Sequence, residues 1–163
     1  MEGVRRADLG DLDVLAALTQ KAVDEQIDSR GGYIWAQREI RPRPYRMSLE
    51  RTYHDPDAEL WVGTLDEVIV GFGCCELEVL ADGEVLGRVT DLFVEPDARE
   101  VAVGELLINA MVEWCRDRQC TGVDAIALPG NRATKNFFET FGFTARLLVV
   151  HHRLGAGSGD EAE

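Results

Sequence analysis

One proline constrains this chain more than any other feature of its sequence. The apolar run Val85–Val94 reads as a strand, and Pro96, which cannot donate to a β-ladder, ends it. After a short loop, Val103, Leu106, Leu107, Ala110, Met111 and Trp114 recur at helical spacing, so a helix from about Val103 to Arg118 carries one apolar face. A strand that feeds through a short loop into an amphipathic helix is a unit of α/β architecture.

The flanking text extends this unit to a full domain. Val4 to Ala7 can form a short first strand, and Asp8 or Asp11 can cap a helix whose face is Leu12, Leu15, Ala16, Leu18, Ala22 and Val23, running to about Ile27. Residues 28–57, with Gly31-Gly32, Pro42, Pro44 and Pro56, read as irregular apart from a short helix from about Tyr45 to Tyr53. Leu60–Leu65 and Val68–Leu80 read as strands joined tightly at Asp66-Glu67, and Asp82-Gly83 supplies a second turn. Val123–Leu128 reads as a buried strand ended by Pro129-Gly130. Asn131 can cap a helix to about Phe141, Gly142 can end it, and a last strand is expected from Phe143 to about Arg153. The expected order is β-α-(α)-β-β-β-α-β-α-β, a mixed sheet with helices on both faces.

A chain of 163 residues with 45% hydrophobic content suits one domain, expected over 1–154, followed by a disordered acidic tail over 155–163. No apolar run is long enough for a membrane span, and Met1-Glu-Gly-Val-Arg-Arg is not followed by an apolar stretch, so a cytoplasmic protein is expected. A net charge of -13 argues against a nucleic-acid partner. It is compatible with a cationic acceptor such as an amine, but a surface that is acidic for solubility alone is the simpler account. Cys74 and Cys75 would point to opposite faces of a strand, and Cys115 and Cys120 lack zinc-site spacing, so reduced thiols and no metal are expected. His151-His152 would alternate across the last strand, too few ligands for a metal.

The loop before the long helix points to a ligand. The first N–H groups of a helix have no internal partner and favour an anion. Small residues at Ala102 and Gly104 would let a phosphate approach Val101, Ala102, Val103 and Gly104, and Arg99 could add a charged hydrogen bond. Taken alone, small residues at such a turn are better explained by packing.

The segment Arg99-Glu-Val-Ala102-Val-Gly104, preceded by Val94 and Pro96 and followed by an Asn131-to-Phe143 helix ending in Gly-Phe, resembles the GNAT superfamily of N-acetyltransferases over residues 3–153. The resemblance implies the GNAT fold, in which Val85–Val94 and Val123–Leu128 would splay to hold acetyl-CoA or another acyl-CoA. It implies that the backbone of Leu92, Phe93 and Val94 faces the pantetheine, with an N–H near Leu92 on the thioester carbonyl. Asn131 and Phe138 fall on the helix that borders the same donor. The acceptor would be a small-molecule or peptide amine, and the last strand and its flanks could pair two subunits.

Several residues depart from the family pattern. Ala102 stands where a glycine is usual, which is tolerable if its φ is negative. Glu100 and Glu105 add acid beside the proposed phosphate site. Phe138 stands where many members carry a tyrosine that protonates the departing thiolate. For the general base, Asp91 and Glu76 are the candidates on central strands, with Glu78 beside them; Asp91 reads equally as a strand carboxylate held by backbone or by an arginine. Tyr33, Trp35, Tyr45, Tyr53 and His54, with Arg38, Arg41, Arg43 and Arg46, lie in the segment that shapes the acceptor side in the family. A module that binds CoA or another ligand without turnover is the competing reading.

Overall fold

Five strands form one sheet in chain order: β1 (Glu2–Arg6), β2 (Ala58–Leu65), β3 (Val68–Val79), β4 (Val85–Val94) and β5 (Gly122–Asp124). They belong to a computed structural model that describes residues 1–155. The first four strands pair antiparallel and β5 runs parallel to β4. Asp66 and Glu67 take φ values of 49° and 69°, as a two-residue turn matched to strand twist requires. The second turn closes where Gly83 N donates to Leu80 O at 2.9 Å, with Gly83 at φ 90°.

Helices α1 (Leu12–Gln26), α2 (Gly32–Arg38) and α3 (Tyr45–Tyr53) precede β2, while α4 (Val103–Asp117) and α5 (Arg132–Thr140) flank β5. Leu12, Leu15 and Leu49 from α1 and α3 pack on Val62, Phe72 and Phe93, filling one face of the sheet. Val103, Leu107 and Met111 of α4, with Phe138 of α5, pack on Trp61, Val89 and Val94 on the other. The expected mixed sheet with helices on both faces is therefore present. Cys74 and Cys75 fall into opposite layers, as strand alternation dictates, and all four cysteines are free thiols.

A strip of glycines seats α4. A Cβ on Gly63 would lie 2.5 Å from Val103 Cγ1, one on Gly73 2.8 Å from Met111 Sδ, and one on Gly87 2.4 Å from Cys115 Sγ. The helix approaches three neighbouring strands so closely that only bare backbone fits beneath it.

One irregularity positions the site. Cys74 faces Asp91 but Cys75 faces Val89, so Thr90 is an extra residue in β4. A bulge bends its strand. Before it, Leu86–Arg88 pair with Gly122–Asp124; beyond it, β4 and β5 do not pair. This is the splayed parallel pair that the family resemblance implies.

Four expectations need correction. Residues 28–57 hold α2 as well as the expected α3; Gly31, at φ 81°, starts that seven-residue helix where a sequence reading finds only a glycine pair. The first strand lies at Glu2–Arg6 rather than Val4–Ala7 because its register on β2 begins at Glu2↔Leu65. The strand expected over Val123–Leu128 is only Gly122–Asp124, since the bend in β4 removes its partner. Residues 143–154 form no strand, for no neighbour offers them a ladder, and Leu147, Leu148, Val149 and Val150 stand exposed. His151 and His152 are exposed there as well. The acidic tail expected over 155–163 lies outside the described residues apart from Gly155.

Candidate active site

The loop from β4 makes one 3-10 turn at Pro96–Ala98 and enters α4 through Ala102, the N-cap. Ala102 has φ -77°, a value alanine adopts freely, so the usual glycine is not needed here. The first helical bond runs from Leu106 N to Ala102 O at 2.9 Å. The N–H groups of Val103, Gly104 and Glu105 therefore precede the helical ladder and present the positive end of the helix dipole. Val103 is buried, so it offers backbone only, while Val101 and Gly104 are half-buried and Ala102, Glu100 and Glu105 are exposed.

Arg99 does not stand free over this loop. Its Nη1 and Nη2 donate to both carboxylate oxygens of Glu25 on α1 at 2.9 and 2.8 Å, and its Nε donates to Val94 O at 2.7 Å. The guanidinium also lies over the Phe93 ring, 5.4 Å from its centroid. It clamps the end of β4 to α1.

The open edge of β4 can be read from its hydrogen bonding. Glu95 N donates to Val70 O at 2.8 Å. Bonded and non-bonded pairs alternate along an antiparallel ladder, so Phe93 and Phe72 form a bonded pair. Val94–Gly71 and Leu92–Gly73 are then non-bonded pairs, whose polar backbone points away from β3 into the splay. Val94 O accepts Arg99 from that side; the N–H groups of Leu92 and Val94 face the same gap.

Asp91 turns to the other face of the sheet and is buried, with 7% of the residue exposed. Arg41 donates to it twice, Nε to Oδ2 at 3.1 Å and Nη2 to Oδ1 at 2.6 Å, and Thr90 Oγ1 donates to Oδ1 at 2.8 Å. Asp91 is thus a strand carboxylate held by an arginine side chain. Burial works against the charge of Arg41, but Asp91 outweighs it and raises the guanidinium pKa above its ordinary value. Glu76, on β3, is half-buried, with Arg88 Nη1 at 3.6 Å; Arg88 Nε also lies 3.7 Å from Glu78. Glu76 thus keeps contact with solvent where Asp91 does not.

On the opposite side, Asn131 spends its side chain on capping α5, accepting Thr134 N at 3.0 Å. Phe138 is buried, with its ring 5.2 Å from Phe143 and 5.6 Å from Phe137. Gly142, at φ 92°, ends α5 as expected.

Arg41, one of four arginines that the sequence places only toward the acceptor side, is buried within the fold. The signal lay in Ser48 and Thr52, two hydroxyls one helical turn apart on the buried face of α3, which accept Arg41 Nη1 at 3.0 and 3.2 Å. Three more arginines of this segment are also engaged within the chain: Arg38 with Glu39, Arg43 with Tyr45, and Arg46 with Asp13 and Glu50. The cleft beside α3, about 370 Å³ and lined by Arg6, Thr52, Tyr53 and Glu59 among others, contains none of the β4 or α4 groups. Among the described residues no group of three or more His, Cys, Asp or Glu converges as a metal would require.

Comparison with known proteins agrees with this fold. The profile of the acetyltransferase (GNAT) family matches residues 20–143. Among solved structures, AAC(6')-Iy in complex with the bisubstrate analog CoA-S-monomethyl-acetylneamine is 17% identical with a TM-score of 0.73, covering 96% of this chain and 99% of that one. A ribosomal-protein-alanine N-acetyltransferase from Brucella melitensis biovar Abortus 2308 is 18% identical with a TM-score of 0.69, over 95% of this chain and 100% of that one. A transcriptional regulator from Bacillus halodurans C-125 is 19% identical with a TM-score of 0.71, over 94% and 100%. A search of curated protein sequences gave no match. At these identities the solved structures speak for the fold, and the profile, which spans most of the chain, speaks for descent: this protein belongs to the acetyltransferase (GNAT) family.

Proposed function

We propose that this protein transfers an acetyl group from acetyl-CoA to a primary amine by direct attack in a ternary complex. The observation that carries the reading is the meeting of two sets of backbone donors. The N–H groups of Leu92 and Val94 face the splay, and the first N–H groups of α4 begin a few residues further along the chain. A thioester with a pyrophosphate beyond it matches that order of donors.

The residues fit the donor in part. Val101, Ala102, Val103 and Gly104 would hold the pyrophosphate by backbone, and Leu92, Phe93 and Val94 would line the pantetheine. Phe138 and Asn131 would support it through α5, and Arg99 would act by fixing Val94 rather than by meeting a phosphate. The exposed acids Glu100 and Glu105 work against tight binding. Acetyl-CoA, when bound, supplies a thioester whose carbonyl carbon the amine attacks and whose thiolate departs.

The chain's own groups do the rest. Leu92 N–H stabilises the carbonyl oxygen as it gains charge. An ammonium must lose a proton before attack. The oxygens of Asp91 already accept three donors, so Glu76, through water, takes that proton and Asp91 supports the strand. Phe138 gives no proton; the thiolate, a good leaving group, departs unassisted and is protonated by solvent, which also takes the second proton that the nitrogen sheds as the amide bond forms. Most of the acceleration then comes from positioning.

The acceptor is a small-molecule or peptide amine, in keeping with the acetylneamine analog and the ribosomal-protein alanine named for two structural relatives. No nucleic-acid or membrane partner is proposed; no helix among the described residues is long and apolar enough to cross a membrane. A cytoplasmic location and a homodimer complete the reading. The exposed, unpaired run Leu147–Val150 suits pairing with the same segment of a second copy. Molar mass by light scattering, compared with a Leu148→Lys variant, tests the dimer.

Phe138 and the tied Arg99 favour one alternative, a module that binds CoA without turnover. Release of thiol from acetyl-CoA with a panel of amines decides between them: stabilisation by acetyl-CoA with no thiol released from any amine favours the binding module.

A further inference from the structure

Among the described residues, four of the five buried polar or charged side chains belong to one network: Arg41, Ser48, Thr52 and Asp91. The side chains of Arg41 and Asp91 are 5% and 3% exposed. A buried ion pair brings no automatic gain in stability, since taking both charges out of water costs about what their attraction returns. What this one does bring is a joint. Arg41 lies between α2 and α3, and its Nη1 holds the hydroxyls of Ser48 and Thr52 on α3. Its Nε and Nη2 hold both oxygens of Asp91, whose Oδ1 also takes the hydroxyl of Thr90, the bulged residue. Asp91 is bonded through its peptide to Leu92. One guanidinium thus ties the α2–α3 segment to the residue that precedes the donor N–H in the splay.

We infer that Arg41 is a positioning residue for acyl transfer: by gripping Asp91 at the bulge of β4 it fixes the direction of the Leu92 N–H. This rests on the acyl-transfer reading above. A planar guanidinium that makes two parallel bonds to a carboxylate defines the orientation of its partner, which a lysine ammonium at a single point does not. The bulge is where β4 leaves β5, so the Leu92 N–H has no strand partner on its open side, while β3 holds the same peptide only through Asp91, the last pair before the register shifts. The side-chain network adds a second hold on Asp91 at that point.

The test compares wild type with Arg41→Lys by following the Leu92 amide in nitrogen-15 spectra during titration with acetyl-CoA, alongside acetyl-CoA affinity, thermal melting and turnover with an accepted amine. In wild type the Leu92 amide resonance moves on binding. In a folded Arg41→Lys chain with acetyl-CoA affinity retained, that movement is expected to fall by half or more and kcat to fall roughly tenfold or more, the scale of loss that small misplacements produce. An unchanged Leu92 response and unchanged kcat in the folded variant overturn the inference. So does a parallel loss of affinity and melting temperature with kcat preserved, which is the mark of a merely structural role. If Arg41→Lys does not fold, Asp91→Asn, which keeps the shape of the side chain, is read the same way; failure of both to fold assigns the pair to stability and overturns the inference too. A wild-type Leu92 amide that ignores bound acetyl-CoA removes the acyl-transfer reading itself, an outcome distinct from a response that survives in the variant.

Discussion

Gly104 of α4 lies under the ring edge of Phe137 of α5: a Cβ on Gly104 would come 3.2 Å from Phe137 Cε1 and 3.5 Å from Cζ. Smallness at this position therefore serves the contact between two helices as well as any phosphate. Two substitutions separate the roles. Gly104→Ala gains about 1 kcal/mol in helix propensity and loses about as much to crowding, so its melting temperature and its acetyl-CoA affinity should both stay near wild type. Gly104→Glu places a carboxylate at the positive end of α4 and should weaken acetyl-CoA by at least about tenfold in isothermal titration. Equal affinity in all three proteins would move the phosphate site elsewhere.

Acetyl-CoA should raise the melting temperature. At a concentration of about 100 times Kd the stabilisation is roughly 2.7 kcal/mol, which for a domain of this size corresponds to about 5–10 °C. A scan with saturating ligand that shows no shift would count against the donor assignment.

Phe138→Tyr puts a hydroxyl into the packing of Phe137 and Phe143, where Phe138 is only 7% exposed. Without a partner that hydroxyl costs about 1–3 kcal/mol. The variant should melt lower, while turnover per folded molecule stays equal or rises, since the new group can protonate the departing sulfur. A hundredfold drop in turnover by folded protein, with acetyl-CoA affinity intact, would show that the ring must be apolar for the chemistry.

Asp124 of β5 accepts Arg146 Nε at 2.8 Å and Nη2 as well, and this hydrogen bonding, more than the opposing burial, holds its carboxyl below the ordinary value of 3.8. A folded-state pKa below the unfolded one means stability that is present above the unfolded value and lost as pH falls through the folded one. Wild type should therefore melt above Asp124→Asn near neutral pH, and the two curves should converge as pH drops below about 4. Parallel curves down to strong acid would show that the ion pair contributes nothing.

Burial should decide thiol reactivity. Cys74 is fully buried, which pushes its thiol up to about 12, with the Asp91 charge adding to the effect. Cys75 and Cys115 are buried as well, and only Cys120 is partly exposed. Iodoacetamide on the native chain at pH 8 should label Cys120 alone by peptide mapping; label on Cys74 would mean that the layer under α1 opens readily.

The strands and turns of β2 to β4 are legible because alternation, Asp82-Gly83 and Pro96 are local signals, and the face of α4 because its repeat is long. The missing α2 is seven residues opened by a left-handed glycine, too short for periodicity to show. Leu147–Val150 reads as a strand because apolar runs usually are, yet a strand also needs a partner, which the local sequence does not reveal. The candidate site divides in the same way. The backbone loop at α4 can be placed from small residues and a proline. The engagement of Asp91 by Arg41 spans fifty positions and is marked only by two inward hydroxyls on α3.

The extra residue at Thr90 makes β4 two strands of opposite phase spliced end to end. Val89 and Leu92 share the α4 side although three positions separate them. A deletion of one residue there would not shorten the strand so much as turn its second half over, carrying Asp91 toward the underside of α4 and leaving Arg41 facing apolar side chains. Length in this strand is thus under tighter constraint than composition, and chains derived from it should exchange residues along β4 far more readily than they gain or lose one.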